Sequence, residues 1–224
     1  CIRDSTRLDR KTRHAADMYI NVLEQLGVTD VSNHGLHIET CKEWNDEVSR
    51  FYESQGVMPH DKLIGFNIGS AVPEKRWPAE RFADVADYFA DKGYKTVFFG
   101  GPMDLEMVKP VVEHMKTTPI VATGAFKIGS LAAAMKWCDL VITNDSGPMH
   151  VAISQGVPIV ALYGPSNPFF YGPYQAKSIV LESMDHYEIG KSMKKVIKEG
   201  KYKGISVITE EQVIKAAETL LQES

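Results

Sequence analysis

The chain has 224 residues, of which 44% are hydrophobic and 24% are charged, and its formal net charge at pH 7 is −4. These values are ordinary for a globular protein, and the length allows one large domain or one domain with an extension. The weakly acidic balance provides no basic footprint, so no nucleic-acid partner is expected. No apolar run is long enough to cross a bilayer.

The three cysteines, Cys1, Cys41 and Cys138, are far apart and show neither metal-ligand spacing nor a disulfide framework. This usage fits a reducing compartment, so a cytoplasmic location is expected. Cys138 lies in an apolar context and is predicted to be a core thiol. Because the chain starts at Cys1 instead of Met and shows no signal peptide, we expect a processed or partial chain.

Two helices are predicted before the first strand. Apolar residues recur at helical spacing from Ala16 to Leu26, and Gly27 ends the pattern. Residues 28–40 are predicted to be a connection, and residues 42–55 a second helix. These segments precede the strand-rich part of the chain.

Strands and helices then alternate, which predicts βαβ units and a doubly wound parallel sheet with helices on both faces. Ligands bind such sheets at the carboxyl ends of the strands. Pro110 is expected to start, kink or break its helix. The predicted strands are 63–68, 95–99, 120–122, 140–143, 157–163 and 178–181; the predicted helices are 79–92, 103–115, 130–137, 148–154 and 209–221.

The most informative segment, LVITNDSGPMH, joins a predicted buried strand to a predicted helix. Asp145 or Ser146 is expected to cap a helix that begins with Pro148. Its N-terminus would offer free N–H groups and a positive dipole end to an anion, and Gly147 would allow a ligand close to the backbone. His150 projects from the first turn near the same mouth. The alternative is a well-capped helix with a surface histidine.

The loop GSAVPEKRWP follows the first predicted strand of the sheet. Gly69 and Ser70 offer a close backbone approach and a hydroxyl, and Lys75 and Arg76 supply positive charge that suits a phosphate or diphosphate. The alternative is a solvated basic turn that Trp77 anchors to the core. The spacing is not that of a P-loop.

Three further loops lie at the same end of the predicted sheet. In GGPMDLE, Asp104 or Glu106 could accept hydrogen bonds from ribose hydroxyls, or could simply favour the helix N-terminus. In TGAF, backbone groups at Gly124 could line a base, whereas Phe126 is more simply explained as core. The turn at 164–168 is predicted to be structural.

No loop provides a nucleophile, a base and an orienting group together. His150 has no Ser or Cys partner nearby in sequence, and no HExxH motif or Cys/His cluster is present, so a metal site is not expected. A phosphate-binding mouth without its own acid–base pair indicates a nucleotide-ligand domain whose chemistry is completed elsewhere.

These loops, in this order, resemble family 9 glycosyltransferases, the lipopolysaccharide heptosyltransferases. The combination of KRWP, NDSGPMH and VALYGP carries the resemblance, which covers residues 62–221. The longer matching stretches are GSAVPEKRWPAERFADVADYF, VFFGGPMDLE, GAFKIGSLAAAMKWCDLVITNDSGPMHVA and GVPIVALYGPSNP, and ISVITEEQVIKAAETLL resembles the C-terminal helix of the family.

The resemblance implies one half of a GT-B architecture, in which two Rossmann-like domains face a cleft. Residues 1–58 would be the tail of an N-terminal domain plus connecting helices, and residues 59–224 a C-terminal nucleotide-sugar-binding domain. The family's catalytic Asp lies in the N-terminal half, so the catalytic base is expected outside this chain. The implied reaction is an inverting transfer of a heptose or related sugar from an ADP-sugar.

The resemblance also implies roles for individual residues. Lys75 matches the lysine that contacts the donor phosphates, and the signature that ends at His150 matches one whose backbone amides hold the diphosphate. The ADP-sugar is a co-substrate, and no cofactor or metal is expected. The implied donor- and phosphate-binding residues are Ser70, Lys75, Asp145, Ser146, Gly147 and His150, and the implied ribose- or base-binding residues are Asp104, Glu106 and Gly124.

The implied acceptor is a lipopolysaccharide core or another glycan. The Lys-rich segment 185–204 departs from many relatives, which leaves the acceptor open. Peripheral association with the inner face of the inner membrane is a further expectation, and the early helices could contact a missing half or a second copy in a homo-oligomer. A nucleotide-sugar epimerase-like enzyme and a non-catalytic nucleotide-binding module are the alternative functions.

Overall fold

The computed structural model describes residues 14–28, 34–183, 193–198, 200, 202 and 204–223. Its strands are β1 (Leu63–Asn67), β2 (Lys95–Phe99), β3 (Ile120–Val121), β4 (Leu140–Asn144), β5 (Ile159–Tyr163) and β6 (Ser178–Glu182). They form one parallel sheet in the order β3-β2-β1-β4-β5-β6. This is the strand order of a Rossmann sheet, and it confirms the predicted fold class.

The predicted helices are confirmed with small shifts at their ends. None of the helices in the described ranges is long and apolar enough to cross a membrane. The helices are α1 (Ala15–Gln25), α2 (Lys42–Ser54), α3 (Ala79–Asp91), α4 (Leu105–His114), α5 (Ile128–Met135), α6 (Gly147–Ile153), α7 (Pro168–Tyr171), α8 (Met193–Lys198) and α9 (Glu210–Gln222).

Three details differ from the sequence prediction. Helix α4 runs through Pro110, which neither starts nor ends it. Pro110 is exposed, and the kink that it was expected to cause as an alternative stays a prediction. The one-turn helix α7 was not predicted; Asn167 caps it by accepting a hydrogen bond from the Phe169 N–H at 2.8 Å. Helix α8 was also not predicted, because its six residues are too few to show a clear period.

Successive strand residues pack on opposite faces of the sheet, because side chains alternate along a strand. Leu63 and Phe99 belong to the core on the side of α2, α5 and α6, whereas Ile64 and Phe98 belong to the core on the side of α3, α4 and α9. All four side chains are fully buried. The continuous apolar runs of the strands follow from this two-sided burial.

Cys138 lies in the core beside Gly65. A side chain at Gly65 would come within 3.1 Å of the Cys138 sulfur and 2.8 Å of the Phe99 ring, so glycine is required there by packing. Burial raises the pKa of the Cys138 thiol, with a smaller contribution from the Asp139 charge. The prediction of an inert core thiol is therefore confirmed.

Helix α2 packs on the same core as the sheet. Val48 and Tyr52 are fully buried, and the Tyr52 hydroxyl donates to the Ala134 carbonyl of α5 at 3.0 Å. The domain boundary between residues 58 and 59 stays a prediction. In contrast, α1 exposes large apolar side chains, among them Tyr19 and Leu23.

Asp87 on α3 is a buried carboxylate that ties this helix to the end of α4. It accepts hydrogen bonds from the Lys116 N–H at 2.8 Å, from the Thr117 N–H at 2.9 Å and from the Thr117 hydroxyl at 2.5 Å. Burial pushes the pKa of Asp87 upward, but these hydrogen bonds and the Lys116 charge outweigh burial, so the pKa lies below its ordinary value. The folded state therefore favours the ionised carboxylate.

We predict that Asp87→Ala lowers the free energy of unfolding by about 2 to 3 kcal/mol, because three donors lose a charged acceptor. The contribution of Asp87 is present above the unfolded pKa of 3.8 and is lost as the pH falls through the lower folded pKa. Urea unfolding at neutral pH measures the effect. The matched control is Asp91→Ala, at an exposed position on the same helix; equal losses for the two variants would contradict the assignment.

Candidate functional site

The candidate site lies where β1 and β4 run side by side. From β1 the chain continues to β2 on one side, and from β4 it continues to β5 on the other. Ligands bind parallel sheets at such a switch point, outside the carboxyl ends of the strands. The loops that follow Asn67 and Asn144 both open there, so the two most informative segments of the sequence meet in space.

Lys75 and Asp145 form an ion pair across this mouth. The Lys75 Nζ lies 2.5 Å from the Asp145 Oδ2, and their side chains are 19% and 7% exposed. The Ser166 hydroxyl donates to the same carboxylate oxygen. Sequence analysis predicted Lys75 and Asp145 but missed Ser166, because the turn at 164–168 gives only a structural signal.

A buried polar network lies beneath the ion pair. The Asn67 Nδ2 donates to the Thr143 Oγ1 at 2.9 Å and to the Ser146 Oγ at 2.7 Å. Asn67 and Thr143 are fully buried, and the Asn67 Oδ1 has no hydrogen-bond partner among the described residues. Sequence analysis missed Asn67, because a polar residue at the end of a strand is a common pattern without specific meaning.

The loop after β1 is anchored to the neighbouring strand and to the segment before α9. The Trp77 N–H donates to the Asn144 Oδ1 at 3.1 Å, and the Asn144 Nδ2 donates to the Ile68 carbonyl at 2.8 Å. The Trp77 indole N–H donates to the Ile208 carbonyl at 2.9 Å. Trp77 is buried, so its predicted anchoring role is confirmed.

The same loop holds Ser70 and Arg76. The Arg76 Nε donates to the Ser70 carbonyl at 2.8 Å, so this guanidinium braces the loop. Ser70 is buried, and its hydroxyl accepts a long hydrogen bond from the Val72 N–H at 3.4 Å. The structure therefore brings Ser70 and Lys75 to the mouth.

Helix α6 starts without the predicted side-chain cap. Ser146 is the N-cap residue, but its side chain makes no capping hydrogen bond; its hydroxyl accepts from Asn67. Asp145 is also not a cap, since its carboxylate holds Lys75. Gly147 is the first helical residue, one earlier than predicted, and Pro148 follows it. Pro148 has no N–H, and the Met149 N–H donates to the Ser146 carbonyl at 3.2 Å, so Gly147 supplies the N–H that the start of the first turn offers to a ligand.

The two candidate ribose ligands lie in different environments. Asp104 is half-buried, and its Oδ2 accepts a hydrogen bond from the Gly101 N–H at 2.8 Å. A side chain at Gly69 would lie 2.6 Å from the Asp104 carboxylate, so Asp104 reaches the loop after β1. Glu106 is exposed and pairs with Lys109 on the same helix at 2.5 Å.

Gly124 lies beside the loop after β2. Its φ of +77° favours glycine, and its N–H donates to the Gly100 carbonyl at 2.9 Å. The Phe126 ring packs edge-on against Phe51, with 4.9 Å between the ring centroids. Phe126 therefore belongs to the core, as its simpler interpretation predicted.

His150 is half-buried and faces a cavity of about 260 Å³ between α1, α6 and α7. The cavity wall includes His14, Tyr19, Tyr171 and Tyr174. His150 is therefore neither fully exposed nor fully buried, and residues of α1 and α7 line the cavity that it faces.

The charge of His150 is set by its surroundings. Burial lowers the pKa of His150 below the ordinary value of 6.5, the Asp145 carboxylate opposes this shift and His14 adds to it. The imidazole is consequently neutral at pH 7 and can both donate and accept hydrogen bonds. Among the described residues, no group of three or more His, Cys, Asp and Glu side chains could hold a metal ion.

The Lys-rich segment 185–204 is described only at 193–198, 200, 202 and 204. Tyr202 contacts the loop that carries Lys75: its hydroxyl donates to the Glu74 carbonyl at 2.5 Å. A side chain at Gly164 would lie 2.7 Å from that hydroxyl and 2.8 Å from the Glu74 carbonyl. The chain after β5 thus passes close to both.

We predict that His150 makes stability depend on pH. As the pH falls below about 6.5, the unfolded chain binds a proton before folded His150 does, so the free energy of unfolding decreases towards the lower folded pKa. His150→Gln removes this dependence, whereas substitution of exposed His60 does not. Denaturant unfolding at several pH values measures it, and identical pH profiles for His150→Gln and the parent chain would contradict the burial of a neutral histidine.

Comparison with known proteins places the chain in a recognisable group. Residues 2–203 match the family model of glycosyltransferase family 9 (heptosyltransferase). The chain is 33% identical over 164 residues to lipopolysaccharide heptosyltransferase 2 of Escherichia coli K12, which covers 71% of the chain and 47% of that protein. The chain thus spans about half the length of the curated relatives it matches.

Solved structures show the same relationship. The chain is 79% identical, with a TM-score of 0.93, to a family 9 glycosyl transferase of Veillonella parvula DSM 2008; the match covers 98% of this chain and 63% of that one. The E. coli ADP-heptose lps heptosyltransferase II is 28% identical with a TM-score of 0.69, and the match covers 84% of this chain and 54% of that one.

Proposed function

The chain belongs to glycosyltransferase family 9, the heptosyltransferases, and on this premise we propose that it provides the donor-binding half of such an enzyme. It would bind the nucleoside diphosphate of an ADP-sugar and support transfer of a heptose or related sugar to a lipopolysaccharide-core-type acceptor. The observation that carries the proposal is the Lys75–Asp145 pair at the switch point, beside the uncapped start of α6.

Lys75 is suited to the diphosphate because it is both charged and held in place. An ammonium group has three N–H donors, and Asp145 takes one of them, so two can point at phosphate oxygens. Asp145 is held in turn by Ser166. The carboxylate thus positions the lysine at the mouth without occupying its full donor capacity.

The start of α6 supports the same assignment. Nothing lies within 4 Å of where a side chain at Gly147 would be, so packing inside the chain does not require glycine there. A diphosphate that approaches the N–H of Gly147 would require it, because any side chain would occupy the approach. The helix dipole adds a partial positive charge at the same point.

Asp104 is the better ribose ligand of the two candidates. Its Oδ2 is used by the Gly101 N–H, which leaves Oδ1 to accept from a hydroxyl next to Gly69. Glu106 points to solvent and is paired with Lys109. Gly124 is hydrogen-bonded to Gly100 in the loop after β2, and its backbone would line the base of the nucleotide.

The proposed reaction is an inverting displacement at the anomeric carbon of the donor sugar. The acceptor hydroxyl loses its proton to a base and its oxygen forms the new glycosidic bond, while the bond to the diphosphate breaks and ADP leaves. Lys75 and the N–H groups at the start of α6 would stabilise the negative charge that builds on the diphosphate. The proposal assigns the base to no residue of this chain and includes neither a cofactor nor a metal.

The partners and the location are proposed at a coarser level. The acceptor class follows from the names of the relatives, which are lipopolysaccharide and lipooligosaccharide heptosyltransferases. Cytoplasmic location, peripheral association with the inner membrane and homo-oligomer formation stay predictions. The exposed apolar side chains of α1 are compatible with a contact to a second copy or to further protein.

We predict that the chain binds ADP more tightly than adenosine and that Lys75→Ala weakens ADP binding about 10- to 100-fold, because a charge-assisted contact is lost. Adenosine binding should change little. Calorimetric titration with ADP and adenosine, with and without EDTA, measures both effects. Lys42→Ala is the matched control, because Lys42 forms an ion pair of the same length with Asp46 on an exposed helix face.

Equal ADP affinity for Lys75→Ala and Lys42→Ala, with both variants folded by thermal unfolding, would contradict the proposed diphosphate site. ADP binding that EDTA abolishes would contradict the proposed charge stabilisation without a metal. Binding of ADP without any transfer activity in a full-length relative would instead favour a nucleotide-binding module.

We also predict that Asp104→Asn reduces the preference for ADP over 2′-deoxy-ADP, because the amide is a weaker acceptor for a ribose hydroxyl than the carboxylate. Glu106→Gln should leave this preference unchanged. Parallel titrations of both nucleotides with the two variants give the comparison, and a preference lost only in Glu106→Gln would reverse the assignment.

A further inference from the structure

We propose that Asn67 is a positioning residue that turns the hydroxyl proton of Ser146 toward the diphosphate. The inference rests on the proposed function, since it concerns the same donor site. It follows from the donor-to-acceptor direction of the buried hydrogen bonds at the ends of β1 and β4. A main-chain carbonyl, which can only accept, fixes this direction at one end of the network.

The side-chain amide of Asn144 lies next to this network, and the backbone sets its orientation. Its Oδ1 accepts from the Trp77 N–H, which can only donate, and its Nδ2 donates to the Ile68 carbonyl, which can only accept. Asn144 is fully buried, so water does not replace these partners and the orientation of its side-chain amide is defined by them. The neighbouring groups must therefore accommodate a fixed side chain.

The polarity of the network starts at Thr143. Its hydroxyl donates its single proton to the main-chain carbonyl of Asn144 at 2.7 Å, and this carbonyl can only accept. Its oxygen can then only accept from Asn67, 2.9 Å away, and this makes the Asn67 atom that faces Thr143 the Nδ2. The second Nδ2 proton of Asn67 is directed at the Ser146 oxygen, 2.7 Å away.

The reversed orientation of Asn67 is unfavourable. It would place the Nδ2, with two N–H donors, where the structure has an oxygen without a partner. Two buried donors without acceptors cost more than one such acceptor. The site thus keeps the orientation in which Asn67 donates to Ser146.

The consequence concerns the Ser146 hydroxyl. Its oxygen accepts from Asn67, so its own proton is available as a donor, and in the part of the chain that the structure describes Asn67 is its hydrogen-bond partner. Ser146 is the N-cap of α6, next to the first-turn N–H groups. A hydroxyl whose proton points away from Asn67 adds a neutral donor to this anion site. Asn67 contributes only through Ser146 and does not touch the diphosphate itself.

The experiment is a double-mutant cycle on the full chain with Asn67→Ala, Ser146→Ala and the double variant, titrated with ADP and adenosine. We expect each single variant to lower ADP affinity about 5- to 20-fold, within the range of one lost hydrogen bond. The double variant should bind ADP about as weakly as Ser146→Ala alone. Adenosine affinity should not change, because adenosine has no diphosphate.

Thermal unfolding checks that each variant is folded. If Asn67→Ala does not fold, the ADP affinities of Ser146→Ala and Ser146→Thr are compared with that of the parent chain. The threonine keeps the hydroxyl and should restore ADP affinity, whereas equal affinity of Ser146→Ala and the parent chain would overturn the inference.

Two other outcomes also decide the matter. Additive losses in the cycle, or equal losses for adenosine, would show that Asn67 acts through the fold, and the diphosphate site would stand without the positioning role. Absence of any preference for ADP over adenosine in the parent chain would overturn the proposed function and this inference together.

Discussion

The pairing of β1 with β4 is the constraint on which the site depends. Their parallel register places Asn67 opposite Thr143, so that two loops far apart in sequence open at the same edge of the sheet. Because the chain continues from these strands in opposite directions, their carboxyl ends border the crevice that a switch point creates. The two-sided apolar core holds this register, since a slip by one residue would turn each strand's side chains to the wrong face.

Polar groups at this edge satisfy one another and still leave donor capacity for an anion. Asp145 holds Lys75 but takes only one of its N–H donors. The Ser146 hydroxyl accepts from Asn67 and makes no capping hydrogen bond to α6, so it does not occupy the Gly147 N–H. These groups are therefore oriented before the ligand binds. Preorganised donors stabilise developing negative charge without a free-energy cost for reorientation.

The sequence predicted the doubly wound parallel sheet and most of the helices and strands, because alternating helical and strand periodicity indicates βαβ units. It also predicted that Lys75 and the segment at Asp145 lie at the same edge of the sheet, because the carboxyl ends of parallel strands meet there. It could not predict Asn67 or Ser166, whose roles depend on partners in other loops. For Pro110 the sequence left a start, a kink and a break open, and the structure excludes the start and the break, because α4 runs from Leu105 to His114. Ser146 is the N-cap of α6, as predicted, but its hydroxyl and the Asp145 carboxylate bind tertiary partners and make no capping hydrogen bond.

A crystal structure of this chain with ADP would show most directly where the diphosphate binds. We predict that the diphosphate lies between the Lys75 Nζ and the start of α6, with its oxygens within hydrogen-bond distance of the Gly147 N–H and the Ser146 hydroxyl. A diphosphate bound elsewhere on the chain, with the Lys75–Asp145 pair untouched and the start of α6 facing solvent, would contradict it.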